Sequence, residues 1–128
     1  MTPKPREGPI SPKGRSKAAR KRERDRERFE KHFHSEERVA FVKSLPCVRC
    51  GKRFLSPWMV HVHHDPTKAA GGTYKDTSPV CGICHTLGGH ARHTVGVETF
   101  WRSVGMSYEA SNAATQAAWL AHLAGLSE

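Results

Sequence analysis

Cys47-Val-Arg-Cys50-Gly51 and, with thirty residues between Cys50 and Cys81, Cys81-Gly-Ile-Cys84-His85 frame the stretch on which the fold of this chain turns. Between them runs Trp58-Met-Val-His61-Val-His63-His64-Asp65-Pro66, and beyond them lie His90 and His93. Thus all four cysteines and six of the nine histidines fall between Cys47 and His93. Two CxxC pairs supply four thiolates, the tetrahedral set that a structural zinc ion takes. Each pair turns tightly enough to offer both sulfurs to one ion, so the metal staples together two segments distant in sequence. The histidines are then held beside the zinc rather than on it, which predicts two metal roles, one structural and one chemical.

Composition agrees with a stapled fold. The chain has 128 residues, enough for one domain plus tails. Only 37% of them are hydrophobic, so the core is thin and a metal is a natural supplement. No run of about 18 apolar residues exists to span a membrane. The polar, basic N-terminus lacks the apolar stretch of a secretory signal. A cytoplasmic, reducing setting is the expectation, and there CxxC pairs read as zinc ligands rather than disulfides.

The formal net charge of +9 points to a polyanion, above all a nucleic acid. Residues 1–28 carry eleven Lys/Arg against four Asp/Glu, hence +7 of that total. Prolines 3, 5, 9 and 12 mark residues 1 to about 15 as disordered. From Ser16 onward Lys/Arg alternate with Glu/Asp, a pattern compatible with a solvated helix carrying i,i+4 ion pairs. Residues 1–28 are therefore expected as a disordered basic arm, with Arg20, Lys21, Arg22, Arg24, Arg26 and Arg28 as phosphate contacts. The duller alternative is a solvated tail with no partner.

Residues 29–128 form the expected folded unit, of small α+β class. Ser35 is an N-cap followed by acidic Glu36 and Glu37, and Val39, Phe41, Val42 and Leu45 can pack one side of a helix that Pro46 stops. Alternation from Trp58 to His63 predicts a strand with Val60 and Val62 inward and His61 and His63 outward. Residues 84–87 open a helix that Gly88-Gly89 interrupts or bends. Val97, Phe100, Trp101 and Val104 have helical spacing, and Gly105 ends that segment. A last alanine-rich helix from Ser107 to Leu123 is expected to bury Ala113, Ala117 and Leu120, with Ala124 beyond them on the same side and Trp119 and Leu123 extending that surface for packing or weak homodimerisation.

Knuckle, His-His strand, Gly-rich loop, knuckle, His and helix together resemble the HNH, or ββα-metal, endonuclease superfamily over roughly residues 46–105. The pattern is similar to that of the zinc-bearing phage enzymes of the endonuclease VII kind and of the Ref-like phage recombination nucleases. Leu45-Pro46-Cys47-x-x-Cys50-Gly51, His63-His64 and His93-Thr-Val-Gly96 before Phe100-Trp101 carry the likeness. The resemblance implies a ββα-metal core stapled by a four-cysteine zinc site, with flanking helices. It implies His63 as a ligand of a catalytic cation and His64 as general base. His85 falls where relatives carry an Asn ligand. The third ligand is His93 or His90, and the His-x-x-Gly context favours His93. Relatives space these last two ligands one helical turn apart, whereas His93 follows His85 by eight residues.

The chemistry asks for such a set. A histidine near neutrality can take a proton from water, and a divalent cation such as Mg²⁺, Mn²⁺ or Ni²⁺ neutralises phosphate charge and stabilises the leaving oxygen. Neighbours on a regular strand point to opposite faces, so His63 and His64 cannot both meet one metal unless the strand breaks, and Asp65-Pro66 supplies a break. Among the remaining candidates, His61 reads as a solvent-facing strand residue or phosphate contact. Asp76 reads as an orienter of the base or as an ordinary loop residue, and His32, His34 and His122 carry no assigned role. The expectation is a metal-dependent, phage-encoded DNA endonuclease, monomeric or weakly dimeric, with no membrane partner. The alternative is a zinc-stabilised nucleic-acid-binding module without cleavage.

Overall fold

A two-stranded antiparallel sheet is the centre of this small α+β protein, as seen in a computed structural model that describes residues 16–54, 56 and 59–126. The first fifteen residues of the expected arm, and Trp58 of the expected strand, lie outside the described residues. Strand β1 (Val60–His64) pairs with β2 (Thr77–Cys81) in the register Val60↔Cys81 to His64↔Thr77. All five β2 residues are buried. Pro79 sits in β2 with its carbonyl accepting from Val48 N–H at 3.0 Å, away from β1. Its missing N–H therefore costs the ladder nothing, and the same bond ties the first knuckle to the outer edge of the sheet.

The β1–β2 connection is held by its own polar groups. Asp76 caps it, its carboxylate accepting from Thr73 N–H at 2.9 Å and Thr73 Oγ1–H at 3.3 Å. Gly72 is required here: a Cβ would meet the Pro66 carbonyl oxygen at 2.0 Å. Asp76 is thus the ordinary loop residue of the two alternatives, and its backbone carbonyl accepts from Asp65 N–H at 3.2 Å.

Helices flank the hairpin. Helix α1 (Lys17–Phe33) starts at a Ser16 cap, so the basic run is helical from Lys17 and the expected arm boundary at residue 28 falls inside a helix. This corrects the expectation of disorder through residue 28. Alternating charges permit it, with Lys21–Asp25 paired at 2.8 Å one turn apart. No residue of α1 is buried. Its last turn docks through rings, Phe33 standing edge-on to His64 with centroids 5.2 Å apart. Helix α2 (Glu36–Lys43) has the expected Ser35 cap, and buries Val42 and Arg38.

A π-helical turn over Ile83–Leu87 stops at Gly88, and the short α3 (Arg92–Val95) and α4 (Val97–Val104) follow. Gly105, at φ 91°, ends α4. Cys47, Val80, Cys81, Cys84, Phe100 and Trp101 form the core, with Val48, Phe54, Val95, Val104 and Tyr108 packed against it. Helix α5 (Tyr108–Leu126) buries Ser111, Asn112, Thr115 and Trp119, while Ala113, Ala117, Leu120, Leu123 and Ala124 are exposed. The expected alanine-lined face is therefore corrected. A polar stripe faces inward because it meets polar backbone and hydroxyl groups: Asn112 donates to the Asp65 carbonyl at 2.6 Å and accepts from Ser78 Oγ–H at 2.7 Å. None of the described helices is long and apolar enough to cross a membrane.

Candidate metal centres

The two knuckles meet at the end of the hairpin. Sγ atoms of Cys47, Cys50, Cys81 and Cys84 all lie within 4.8 Å of one another, and none is in a disulfide. A tetrahedral ion with Zn–S bonds of about 2.3 Å sets its sulfurs ~3.8 Å apart, and Cys50 and Cys81 are separated by 3.9 Å. Local backbone shapes the first knuckle: Gly51 N–H donates to the Cys47 carbonyl at 2.8 Å, and Gly51 takes φ 73°, which a side chain resists. Burial raises the Cys47 thiol, but backbone N–H groups of Cys50, Cys81 and Arg49 aimed at its sulfur outweigh this and lower it. Burial pushes the Cys84 thiol up to about 12, with the neighbouring sulfurs of Cys81 and Cys47 adding to the effect. Four crowded sulfurs cannot all ionise without a cation among them. The donor set and the spacing fit a metal ion such as zinc.

A second cluster lies alongside. One ring nitrogen from each of His63, His85 and His93 lies within 4.8 Å of the others. His85 Nε2 and His93 Nε2 are 3.0 Å apart, close to the ~3.0–3.4 Å between nitrogens sharing one ion at about 2.1 Å. The eight-residue interval between them is taken up by the break at Gly88 and the restart at Arg92, so two helical pieces present what one continuous helix presents at a single turn. Burial, aided by the neighbouring His63, His61 and His93, holds His85 down to about 3, so it is neutral and its lone pair is available. His90 is exposed and outside the cluster.

Asp65 orders this cluster. Its carboxylate takes His63 Nε2–H at 2.7 Å, Arg92 through two bonds at 2.9 and 2.8 Å, and Trp101 Nε1–H at 2.8 Å. Burial alone raises its pKa, yet the bonds from His63, Arg92 and Trp101 overcome that and hold the carboxyl well below the usual carboxylate range. With Nε2–H given to Asp65, the His63 lone pair sits on Nδ1, and a carboxylate behind a histidine also raises its basicity toward a metal.

His64 points elsewhere. The strand stays paired through His64↔Thr77, so the break at Asp65 comes one residue too late to bring His63 and His64 to one face. Its Nε2–H donates to the His32 carbonyl at 2.7 Å, leaving the lone pair on Nδ1, and the side chain is 7% exposed. Burial lowers its pKa, against the upward pull of that carbonyl. Arg20, Lys21, Arg22, Arg24, Arg26 and Arg28 all lie on α1. Arg20, Arg24 and Arg28 follow one another at turn spacing on one side, while Arg22 and Arg26 line another.

Several partners were not marked by sequence. His61, expected to face solvent, is half-buried and hydrogen-bonded ring to ring with His85. His32 and His34, with no role assigned, hold the loop: His32 Nδ1–H donates to the Gly72 carbonyl at 2.9 Å and His34 stacks on Tyr74 at 4.9 Å. Asp65 and Arg92 join residues far apart in the chain, and only alternation along β1, which sets His61 and His63 on one face, offered a signal. No family model matches this chain, and neither a curated protein nor a solved structure matches it.

Proposed function

We propose that this protein is a metal-dependent DNA endonuclease of the HNH, or ββα-metal, type, hydrolysing phosphodiester bonds with a histidine general base. One observation carries the reading: three imidazole nitrogens, from His63, His85 and His93, converge as a group separate from the four-cysteine cluster. A zinc staple needs only the cysteines, so the second cluster calls for a second role. The order strand, strand, ligand-bearing helical segment supports the family resemblance. A divalent cation bound there supplies charge neutralisation on the phosphate and stabilisation of the departing oxygen. Imidazole donors favour a transition metal over bare magnesium.

The chain's own groups do the rest. Asp65 fixes the His63 tautomer and Arg92 fixes Asp65. His64, kept neutral by burial and oriented by the His32 carbonyl, offers Nδ1 as proton acceptor. Since His63 and His64 face opposite ways, the reading requires the phosphate to sit across the end of β1, with cation on one side and base on the other. The cationic residues of α1, a helix whose last turn rests against His64, suit contact with the flanking phosphates.

A second reading, a zinc-stabilised nucleic-acid-binding module without cleavage, is favoured by the 7% exposure of His64. The variants His64→Ala and His63→Ala separate the two. Loss of a general base costs about 10²–10⁴ in rate, so His64→Ala should lose cleavage of that order with DNA binding intact, and added metal should not restore it. His63→Ala should instead recover partly with excess metal. A wild-type rate in His64→Ala removes it as the base, and absence of cleavage in wild type favours the binding module.

A further inference from the structure

His85 has both ring nitrogens engaged. Its Nε2 faces His93 Nε2 at 3.0 Å, and its Nδ1 meets His61 Nδ1 on the opposite side. A neutral imidazole has one N–H donor and one lone pair, so the partner of one nitrogen decides what the other can do. His61 lies outside the group of three nitrogens that can share an ion. It sits on the same face of β1 as His63, two residues earlier and therefore about 6–7 Å away along the strand. We propose that His61 is a positioning residue for His85: its Nδ1 accepts the Nδ1–H of His85, so that the His85 Nε2 lone pair turns toward His63 and His93. The inference rests on the proposed cation site at those three residues.

The surroundings of His61 hold its ring for this task. A Cβ on Gly82 would stand 3.8 Å from His61 Cε1 and Nε2, so the backbone of the second knuckle lies close against the ring. Phe54, Met59, Ile83 and Leu87 line an apolar hollow with it. The ring edge carrying Nδ1 is the one presented to His85. Ligating histidines generally pass their second N–H to an acceptor, which fixes tautomer and orientation. His63 uses the Asp65 carboxylate for this purpose, and His85 uses another imidazole.

The test uses the full chain with its cysteine site filled by zinc, and Co²⁺ as the probe. Cobalt uptake is followed by calorimetry and visible absorption for wild type, His61→Ala and His61→Gln, with zinc content and circular dichroism confirming each fold. Imidazole ¹⁵N spectra before cobalt addition report the His85 tautomer. The expected result is an Nδ1–H tautomer of His85 in wild type and a mixed one in His61→Ala. Cobalt should bind that variant about 10–100-fold more weakly, with an unchanged spectrum at saturation because the ligands are the same. His61→Gln, whose side-chain oxygen can accept, should recover much of the loss. Equal cobalt affinity in wild type and His61→Ala, or an Nε2–H tautomer in wild type, overturns the positioning role alone. A saturated spectrum that changes in His61→Ala overturns it by making His61 a ligand. A wild-type chain that takes up no cobalt at the histidines overturns the cation site, and the positioning role with it.

Discussion

Asp65 joins more of the site than any other single residue. One carboxylate receives His63, Arg92 and Trp101, while its carbonyl receives Asn112. Asp65→Asn keeps the shape but loses the charge that holds Arg92 and orients His63. It should weaken cation binding at the histidines by about 10–100-fold and lower the melting temperature, since Arg92 is then left without its partner. Calorimetric metal titration beside a thermal melt checks both effects, and wild-type affinity would show that His63 needs no carboxylate behind it. In the sequence Asp65 reads only as a strand break before Pro66. Its partners stand up to 47 residues away, and no local pattern contains them. The cysteines were legible because ligand chemistry restricts residue type and spacing, whereas His63 and His85 are named as ligands only through the family resemblance. His64 is named as general base through the same resemblance, and its orientation was not legible, because that depends on where the strand ends and on the His32 carbonyl.

At the scale of elements, the knuckles and caps follow from local rules and α5 does not. Ser35, Gly51 and Gly105 do what their residue types allow at helix starts and tight turns. The inward face of α5 is set instead by what β2 and the loop present, namely a Ser78 hydroxyl and an Asp65 carbonyl, and so it carries Ser111 and Asn112 rather than alanine. Cys81→Ser should abolish metal binding at the cysteine cluster and unfold the hairpin, because metal binding and folding are coupled in thin cores; metal analysis and circular dichroism read it. Acid should destabilise the same region without added divalent metal. As pH falls from 6.5 toward 3, the unfolded chain takes a proton at His85 that the folded chain refuses, so stability present above that window is lost through it. His61, His64 and His93 are lowered mainly by burial and act in the same direction. The melting temperature should therefore drop between neutral pH and pH 5, and less steeply in His85→Asn; equal slopes would contradict a neutral, half-buried His85.

For the whole molecule, charge is the legible quantity and its shape is not. Residues 1–28 carry most of the excess positive charge, and from Lys17 they are presented on a helix whose last turn rests on His64. Composition gives the charge, while the docking depends on Phe33 and the His32 carbonyl meeting a strand from later in the chain. Removing residues 1–28 while keeping Phe29–Phe33 should lower DNA affinity and flatten its salt dependence, since fewer counterions are released; an unchanged slope across several salt concentrations would exclude α1 as a phosphate contact. The nuclease activity proposed for this chain depends on a cation at the histidine cluster. Incubation of the purified protein with supercoiled plasmid, in chelator and then in Mg²⁺, Mn²⁺ or Ni²⁺, measures it most directly. Nicked or linear DNA is expected only with added metal, with less of it from His63→Ala unless the metal is in excess; intact plasmid under every metal, from folded protein that binds the DNA, would exclude the proposed nuclease.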